Sequence, residues 1–228
     1  MSKQSKSPAE TNYDVAVIGG GPGGAALATF LSRQGRRCLI IEQSTFPRYH
    51  VGESLVPHTY DIFKRLGMLP KLKSSKFPVK QSVRFISADG AESTPFYFSE
   101  TIPGDGADTW QVERGAFDQM LLDHARDNQV EVREGTSVEK VLFENGRATG
   151  VSISNGTGPE TINAKVVVDA SGRNAVIGRQ LGLKSDVPGL NKGPLWGYYR
   201  GGKRLPGIDA GETTLLLLPG GGWFWYIP

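Results

Sequence analysis

Residues 13–24 read Y-D-V-A-V-I-G-G-G-P-G-G, and the fold is decided there. Tyr13–Ile18 is a short apolar run ending at glycines, the pattern of a buried strand. A helical pattern then runs from about Pro22 to Gln34, and Gly35 supplies its C-terminal stop. A second buried strand follows at 37–42, R-C-L-I-I-E. Strand, glycine turn, helix and strand with short connections begin a βαβ unit. Gly19, Gly21 and Gly24 fit the pattern G-x-G-x-x-G. Gly19 permits the tight turn, Gly21 lets backbone approach a pyrophosphate, and Gly24 lets the helix pack close to the strand. Pro22 and Gly23 open the helix, whose free N–H groups and positive dipole end favour a phosphate. Glu42 closes the second strand about twenty residues on, where a carboxylate can accept ribose hydroxyl protons. The alternatives are a tight turn without a ligand and a solvated carboxylate. The strand–turn–helix context favours a dinucleotide.

Working outward, bulk properties bound the rest. The 228 residues allow one or two domains with a sizeable core. Charged residues make up 21% and hydrophobic ones 38%, ordinary for a globular chain. The 30 glycines cluster in turns and loops without a repeat, which excludes a collagen-like chain. A net charge of +3 with scattered basic residues gives no argument for nucleic acid. Cys38 is the single cysteine, so no internal disulfide forms and a cytoplasmic setting is expected. No apolar run is long enough for a membrane span, and no metal site is expected. The start, M-S-K-Q-S-K-S-P-A-E, has no apolar core; residues 1–11 read as a disordered leader rather than a signal peptide.

Further along, 44–56 read as loop, and a helix is predicted from about Pro57 to Leu66, closed by Gly67. Residues 81–98 read as a hairpin turning at Asp89-Gly90, and 99–108 as a loop. A helix is predicted from about Gly115 to Asp127, with Phe117, Leu121, Leu122 and Ala125 on one face. Strands follow near 130–133, 138–143, 148–153 and 165–169, then a short helix near 174–181. Residues 185–193 read as a linker, and 194–228 as strands broken by glycine-rich turns. The order is α/β: a parallel sheet with antiparallel additions.

The glycine motif does not by itself separate NAD from FAD. The stretch from Asp14 to Glu42 resembles the opening of flavoprotein monooxygenases related to para-hydroxybenzoate hydroxylase. Three further segments match in order. F-P-R-Y-H-V-G-E-S-L (46–55) resembles the loop beside the flavin, V-E-R-G-A-F-D-Q-M-L (112–121) the R-G-x-F-D helix start, and V-V-V-D-A-S-G-R (166–173) the D-A-S-G-R strand end. On this resemblance FAD is the cofactor, and Arg48, Ser54, Arg114 and Asp169 join the glycines and Glu42 as candidate contacts. Val138 falls where the family presents backbone to the adenine. Other roles are open: an Arg114–Asp118 ion pair, surface charge for Arg48, and a local tie of the S-G-R turn for Asp169.

The last residues, Trp223-Phe224-Trp225-Tyr226-Ile227-Pro228, spell W-x-W-x-I-P, the signature of flavin-dependent halogenases. With V-G-E-S-L at 51–55, the chain resembles that branch. Two tryptophans at spacing two share one face of a strand. Trp223, Trp225, Ile227 and Pro228 then form a barrier keeping organic substrate from the flavin; without the resemblance they read as an aromatic core strand. The resemblance implies that reduced FAD from a separate flavin reductase reacts with oxygen to a hydroperoxide, which halide attacks. Hypohalous acid then travels to a lysine and on to an electron-rich aromatic ring, free or carrier-bound. Of Lys71, Lys73, Lys76 and Lys80, the family's phenylalanine-x-x-lysine stretch matches Phe77–Lys80. Lys80 is therefore the expected catalytic residue, with Lys76 in reserve.

The expected organisation is a Rossmann-like FAD-binding domain at 12–184 with a β-hairpin inserted near 77–110. Residues 185–228 are expected to begin a substrate-side halogenation domain. Family members run to about twice this length, so the chain is expected to be an N-terminal part. Alternative functions are an aromatic monooxygenase or geranylgeranyl-reductase-like enzyme, and an inactive FAD-binding fragment.

Overall fold

The computed structural model describes residues 12–156, 158–190 and 193–228. The expected leader at 1–11 and two residues of the expected linker lie outside them.

The chain opens as its N-terminal pattern predicts. Strand β1 (Asn12–Ile18), helix α1 (Pro22–Ser32) and strand β2 (Cys38–Ile41) follow one another with short turns. Helix α2 (Thr59–Leu66) buries Tyr60, Phe63 and Leu66 and ends on Gly67 in the left-handed conformation. Helix α3 (Leu69–Lys73) was not expected; its signal is Pro70 in the first turn. Strands β3 (Val79–Lys80), β4 (Ser82–Ile86), β5 (Phe96–Tyr97) and β6 (Thr109–Trp110) come next. The hairpin turn forms where expected, with the Ser87 N–H donating to the Ala91 carbonyl at 2.9 Å. The predicted loop that follows contains two short 3-10 turns. Helix α4 (Arg114–Asp127) precedes β7 (Glu131–Arg133), β8 (Ser137–Glu144), β9 (Arg147–Ser154) and β10 (Pro159–Asp169). Helix α5 (Val176–Gln180), β11 (Thr213–Leu218) and β12 (Gly222–Tyr226) complete the described elements. The strand expected from 194 begins only at Thr213. Residues 193–200 are all exposed and pair with no strand, so their backbone groups turn to water instead of a ladder.

Contacts divide the chain into two compact units. One holds the described residues through Arg48 together with Asp118–Leu190; the other holds Tyr49–Phe117 and the described residues after 192. Compactness thus groups the hairpin with the C-terminal stretch. It is a different division from the expected functional boundary at 184/185.

The first unit is built on a six-stranded sheet in the order β7-β2-β1-β10-β9-β8. The first four strands are parallel and the last three antiparallel, β10 serving both. Alternate residues of β1 and β2 divide between two apolar clusters. Ala16, Ile18, Leu39 and Ile41 enter one, while Val15, Val17, Cys38 and Ile40 enter the other with Leu122 and Ala125 of α4. A parallel sheet needs both faces covered, and each fully buried aliphatic chain contributes about 1.5–3 kcal/mol.

The second unit holds a four-stranded sheet, β12-β11-β4-β5, and the small pair β3–β6. The expected second sheet is therefore present, and it includes the hairpin strands β4 and β5. Strand β11 runs parallel to β4 and antiparallel to β12. Trp110 anchors this unit: Tyr60 stacks on it at 6.3 Å, and Phe63 meets it edge-on at 6.5 Å. Among the described residues no helix is long and apolar enough to cross a membrane.

Candidate functional site

In the first unit the glycine turn is set by close approach. Gly19 has φ +103°, and a Cβ there would stand 2.5 Å from the Ala170 carbonyl oxygen. A Cβ on Gly24 would stand 2.0 Å from the Gly19 oxygen. Neither position accepts a side chain without backbone movement. Gly21 is the N-cap of α1 in extended conformation, with no side-chain cap and no acidic residue in the first helical turn. Around Gly23 a Cβ would meet nothing within 4 Å. First-turn amides have no partner within a helix. Here neither a capping side chain nor a carboxylate competes for them, so the turn fits a pyrophosphate.

Glu42 is 5% exposed, and both its oxygens are engaged. The Gly20 N–H donates to Oε2 at 2.8 Å and the Ser44 N–H to Oε1 at 2.9 Å. The carboxylate fastens the glycine turn to the end of β2, and each oxygen retains acceptor capacity for a ribose hydroxyl. The Thr136 N–H donates to the Glu42 carbonyl at 2.9 Å, holding the entry to β8 beside this loop. Val138 follows two residues later, its half-buried side chain against the apolar cluster. Arg48 pairs with the buried Asp118 at 3.1 Å, and its guanidinium lies 4.6 Å from the Phe46 ring centroid. Its Nη2 is 3.5 Å from where a Gly21 Cβ would be, so Arg48 borders the glycine turn. It is a held cation rather than loose surface charge.

Asp169 ties its local turn. Its Oδ1 accepts the Ser171 N–H at 3.1 Å and the Ser171 hydroxyl, and Oδ2 accepts the Ile177 N–H at 2.8 Å. Burial pushes its pKa up, but the Ser171 hydroxyl and the surrounding amides outweigh this and hold it below the usual carboxylate range. The local alternative is thus realised, and it steadies Ala170, the wall against which Gly19 turns.

In the second unit burial separates the candidate lysines. Lys73 and Lys76 are exposed and Lys71 is half-buried, whereas Lys80 is 6% exposed. Alternation in the two-residue strand β3 turns Val79 out and Lys80 in. The strand is pinned by β6, and a Cβ on Gly211 would stand 2.0 Å from the Val79 oxygen. Lys80 Nζ donates to Ser54 Oγ at 2.9 Å and to the Leu55 carbonyl at 3.2 Å, and lies 5.5 Å from the Phe98 ring centroid. Among the described residues it makes no ion pair. Burial lowers its pKa to about 8. Two expected site residues, Ser54 and Lys80, are thereby brought into direct contact.

The 53–55 segment is stitched to β6: the Leu55 N–H donates to the Trp110 carbonyl at 3.1 Å and the Val112 N–H to the Glu53 carbonyl at 2.7 Å. Arg114 Nη1 donates to the carbonyls of Val51 at 3.1 Å and Gly52 at 3.4 Å, supporting the same loop. Two buried residues were missed in the sequence. Gln111 Nε2 donates to the Gly211 carbonyl at 2.9 Å and to Thr213 Oγ1 at 2.8 Å, and Thr213 Oγ1 lies 3.1 Å from Ser54 Oγ. No local pattern marks them; only the long-range pairing assembles them. Trp223 and Trp225 share one face of β12, opposite Leu217 and Leu215. They are 54% and 57% exposed, with Phe224 and Tyr226 also exposed. Ile227 and Pro228 are half-buried.

A parallel βαβ sheet with a bare glycine turn at a helix N-terminus and an acid at the end of β2 defines a dinucleotide-binding protein. Residues 12–193 match the family described as FAD binding domain, and the chain belongs to it. It is 33% identical to a 1H-pyrrole-2-carbonyl-(peptidyl-carrier protein) chlorinase of Pseudomonas fluorescens, over 95% of this chain and 53% of that protein. It is 34% identical to a flavin-dependent halogenase of Armillaria mellea, over 94% of this chain and 44% of that one. The structure of the myxobacterial chondrochloren halogenase CndH, an FAD-dependent halogenase, superposes with a TM-score of 0.80 at 35% identity, covering 95% of this chain and 50% of that one. The chain thus spans about half the length of these relatives.

Proposed function

We propose that this chain is part of an FAD-dependent halogenase that uses reduced FAD, oxygen and chloride or bromide to halogenate an electron-rich aromatic substrate. The observation that carries the reading is Lys80: a buried amine without an ionic partner among the described residues, its pKa lowered to about 8, held on Ser54 within V-G-E-S-L. A neutral amine is a nucleophile at a pH where an ordinary lysine is charged. Similarity to halogenases over nearly the whole chain supports the same reading.

Gly19, Gly21, Pro22, Gly23 and Gly24 would hold the pyrophosphate, Glu42 the ribose, and the backbone at Val138 the adenine. Arg48, Arg114 and Ser54 would act on the flavin-side loop, with Asp169 keeping its turn in place. Reduced FAD, when bound, would supply the two electrons that bring oxygen to the peroxide level, and that oxygen would be the oxidant that takes two electrons from halide. The Lys80 lone pair takes up the halogen from hypohalous acid; the released hydroxide and an amine proton leave as water. Trp223 and Trp225, with Ile227 and Pro228, would form the barrier between flavin and substrate. In this account residues 12–184 form the FAD-binding domain and 185–228 begin the halogenation domain.

A carrier-bound pyrrole-type ring is one proposed substrate, since two similar proteins are named for pyrrole-2-carbonyl carriers. A separate flavin reductase in the cytoplasm would supply reduced FAD. The test gives protein carrying this chain reduced FAD, oxygen and either halide, with phenols, pyrroles and indoles, free and carrier-bound. Halide-dependent product is expected, and Lys80→Ala is expected to abolish it while flavin oxidation continues. Halogenation that persists in Lys80→Ala would remove the lysine from the mechanism. Oxygen insertion independent of halide would replace the reaction itself.

A further inference from the structure

We infer that the Thr109 hydroxyl and the Gln111 side-chain carbonyl form, with Lys80, a receiving site that takes hypohalous acid in its neutral form rather than halide or hypohalite, a reading that rests on the proposed role of Lys80.

Two polar side-chain atoms of the second unit are buried without a hydrogen-bond partner among the described residues, Thr109 Oγ1 and Gln111 Oε1. Thr109 is 0% exposed and Gln111 2%. The Gln111 amide has a fixed orientation. Its other atom lies 2.9 Å from the Gly211 carbonyl, which can only accept, and 2.8 Å from Thr213 Oγ1. That atom is therefore Nε2, and the one left over is an acceptor. An unmade hydrogen bond on a buried group costs stability. Such groups are rare in folded proteins, and two on one short strand call for a role.

Strand geometry sets both atoms beside the lysine. Residues 109–111 lie in the middle of three segments: Lys80 pairs with Thr109 on one side, and Ser54 bridges Gln111 on the other. Residues opposite one another share a face, as do residues two apart. Lys80, Thr109, Gln111 and Ser54 therefore present their side chains to one face. Neighbouring strands stand about 4.8 Å apart, yet Lys80 Nζ reaches Ser54 Oγ at 2.9 Å, two segments away. The lysine side chain must cross the face on which Thr109 and Gln111 stand.

Donor and acceptor capacity then selects the ligand. Gln111 Oε1 only accepts, whereas the Thr109 hydroxyl has a hydrogen to give. A halide or hypohalite ion only accepts. It would take the Thr109 hydrogen, leave Gln111 Oε1 unmet and set a negative charge against a carbonyl oxygen. Hypohalous acid meets both needs: its hydroxyl donates to Gln111 Oε1 and its oxygen accepts from Thr109. With the oxygen held, the halogen is the end left for the Lys80 amine. The nitrogen–halogen bond forms as the oxygen–halogen bond breaks, and the leaving hydroxide takes an amine proton and departs as water. The Thr109 hydrogen meets the oxygen on which negative charge develops, so its bond strengthens during transfer.

The test adds less than one equivalent of hypochlorous acid to the 228-residue chain without flavin. Haloamine at Lys80 is read as the thiol-reducible haloamine that Lys80→Arg fails to form. Thr109→Val keeps the side-chain shape and deletes the unpartnered hydroxyl. It is expected to slow haloamine formation at Lys80 roughly three- to tenfold, the worth of one hydrogen bond. Its Tm should hold or rise, since no hydrogen bond of the folded chain is lost. Thr109→Ser should react like the wild type, and Gln111→Met should be slowed as Thr109→Val is. Acetylation of Lys80 by acetic anhydride has no use for the two atoms and should proceed at the wild-type rate in Thr109→Val. Equal haloamine formation in the wild type and Thr109→Val would overturn the inference. So would an equal fall in acetylation, which would make Thr109 a residue that only shapes the lysine. Wild-type Lys80 that takes up halogen in this way, in a protein that gives no halide-dependent product with reduced FAD, would remove the proposed function and leave the receiving site standing.

Discussion

At Lys80 the same burial that prepares an amine for chemistry weakens the fold, and the two effects share a pH window. The folded-state pKa is about 8 against an ordinary lysine value of 10.5. Between these values the unfolded chain holds a proton that the folded chain has released, so stability rises with pH across the window. Below about 8 the folded chain carries the full cost of a buried cation. Lys80→Met should therefore stabilise the chain at pH 7 by roughly 1–3 kcal/mol, the pKa difference less the lost hydrogen bonds. That gain should shrink towards pH 10.5. Urea unfolding of both proteins at several pH values measures it; a deficit in Lys80→Met that is constant with pH would contradict it. Lys80 was singled out by the family resemblance, whose phenylalanine-x-x-lysine stretch is local in the sequence; the residues alone left four lysines open. Gln111 and Thr213 were not, because their hydrogen bond joins residues 102 apart in the chain. Glu42 was legible as a strand-end acid, yet its bonds to the Gly20 and Ser44 amides depend on the folded turn.

At the scale of elements, the strand–turn–helix start was readable because each glycine answers a short-range constraint. A Cβ at Gly24 would meet backbone at 2.0 Å, whereas one at Gly23 would meet nothing within 4 Å. Gly24→Ala should therefore destabilise the chain by about 1–3 kcal/mol, a fall in Tm of roughly 2–12 °C. Gly23→Ala should be neutral or raise stability by up to about 1 kcal/mol, since alanine favours a helix. Thermal unfolding of the pair checks this, and equal losses in both would refute the packing argument. Elements set by distant partners were harder to read. Strands β3 and β6 are two residues each and exist through their mutual pairing. The apolar and aromatic residues after 194 looked like a strand, but without a neighbour they form none. Helix α3 passed unnoticed because five residues give too short a window for periodicity, although its leading proline was in view.

For the molecule as a whole, the residues proposed for the two jobs fall in different compact units, each assembled from two separate stretches of the sequence. The unit with Gly19–Gly24 and Glu42 carries the features for an adenine dinucleotide, and the unit with Lys80 carries the amine. The mixed sheet and the second sheet were both legible from the pattern of strands. The grouping of 49–117 with the C-terminal strands was not, because β11 pairs with β4 across a long sequence gap. The account depends most on the glycine turn holding the pyrophosphate of FAD. Titration of the 228-residue chain with FAD, followed by flavin fluorescence, tests it most directly. The account predicts saturable binding that ADP competes away, and at least about tenfold weaker binding in Gly21→Asp, whose carboxylate would oppose the phosphates at the helix N-terminus. No saturable binding, or equal affinity in Gly21→Asp, would contradict it.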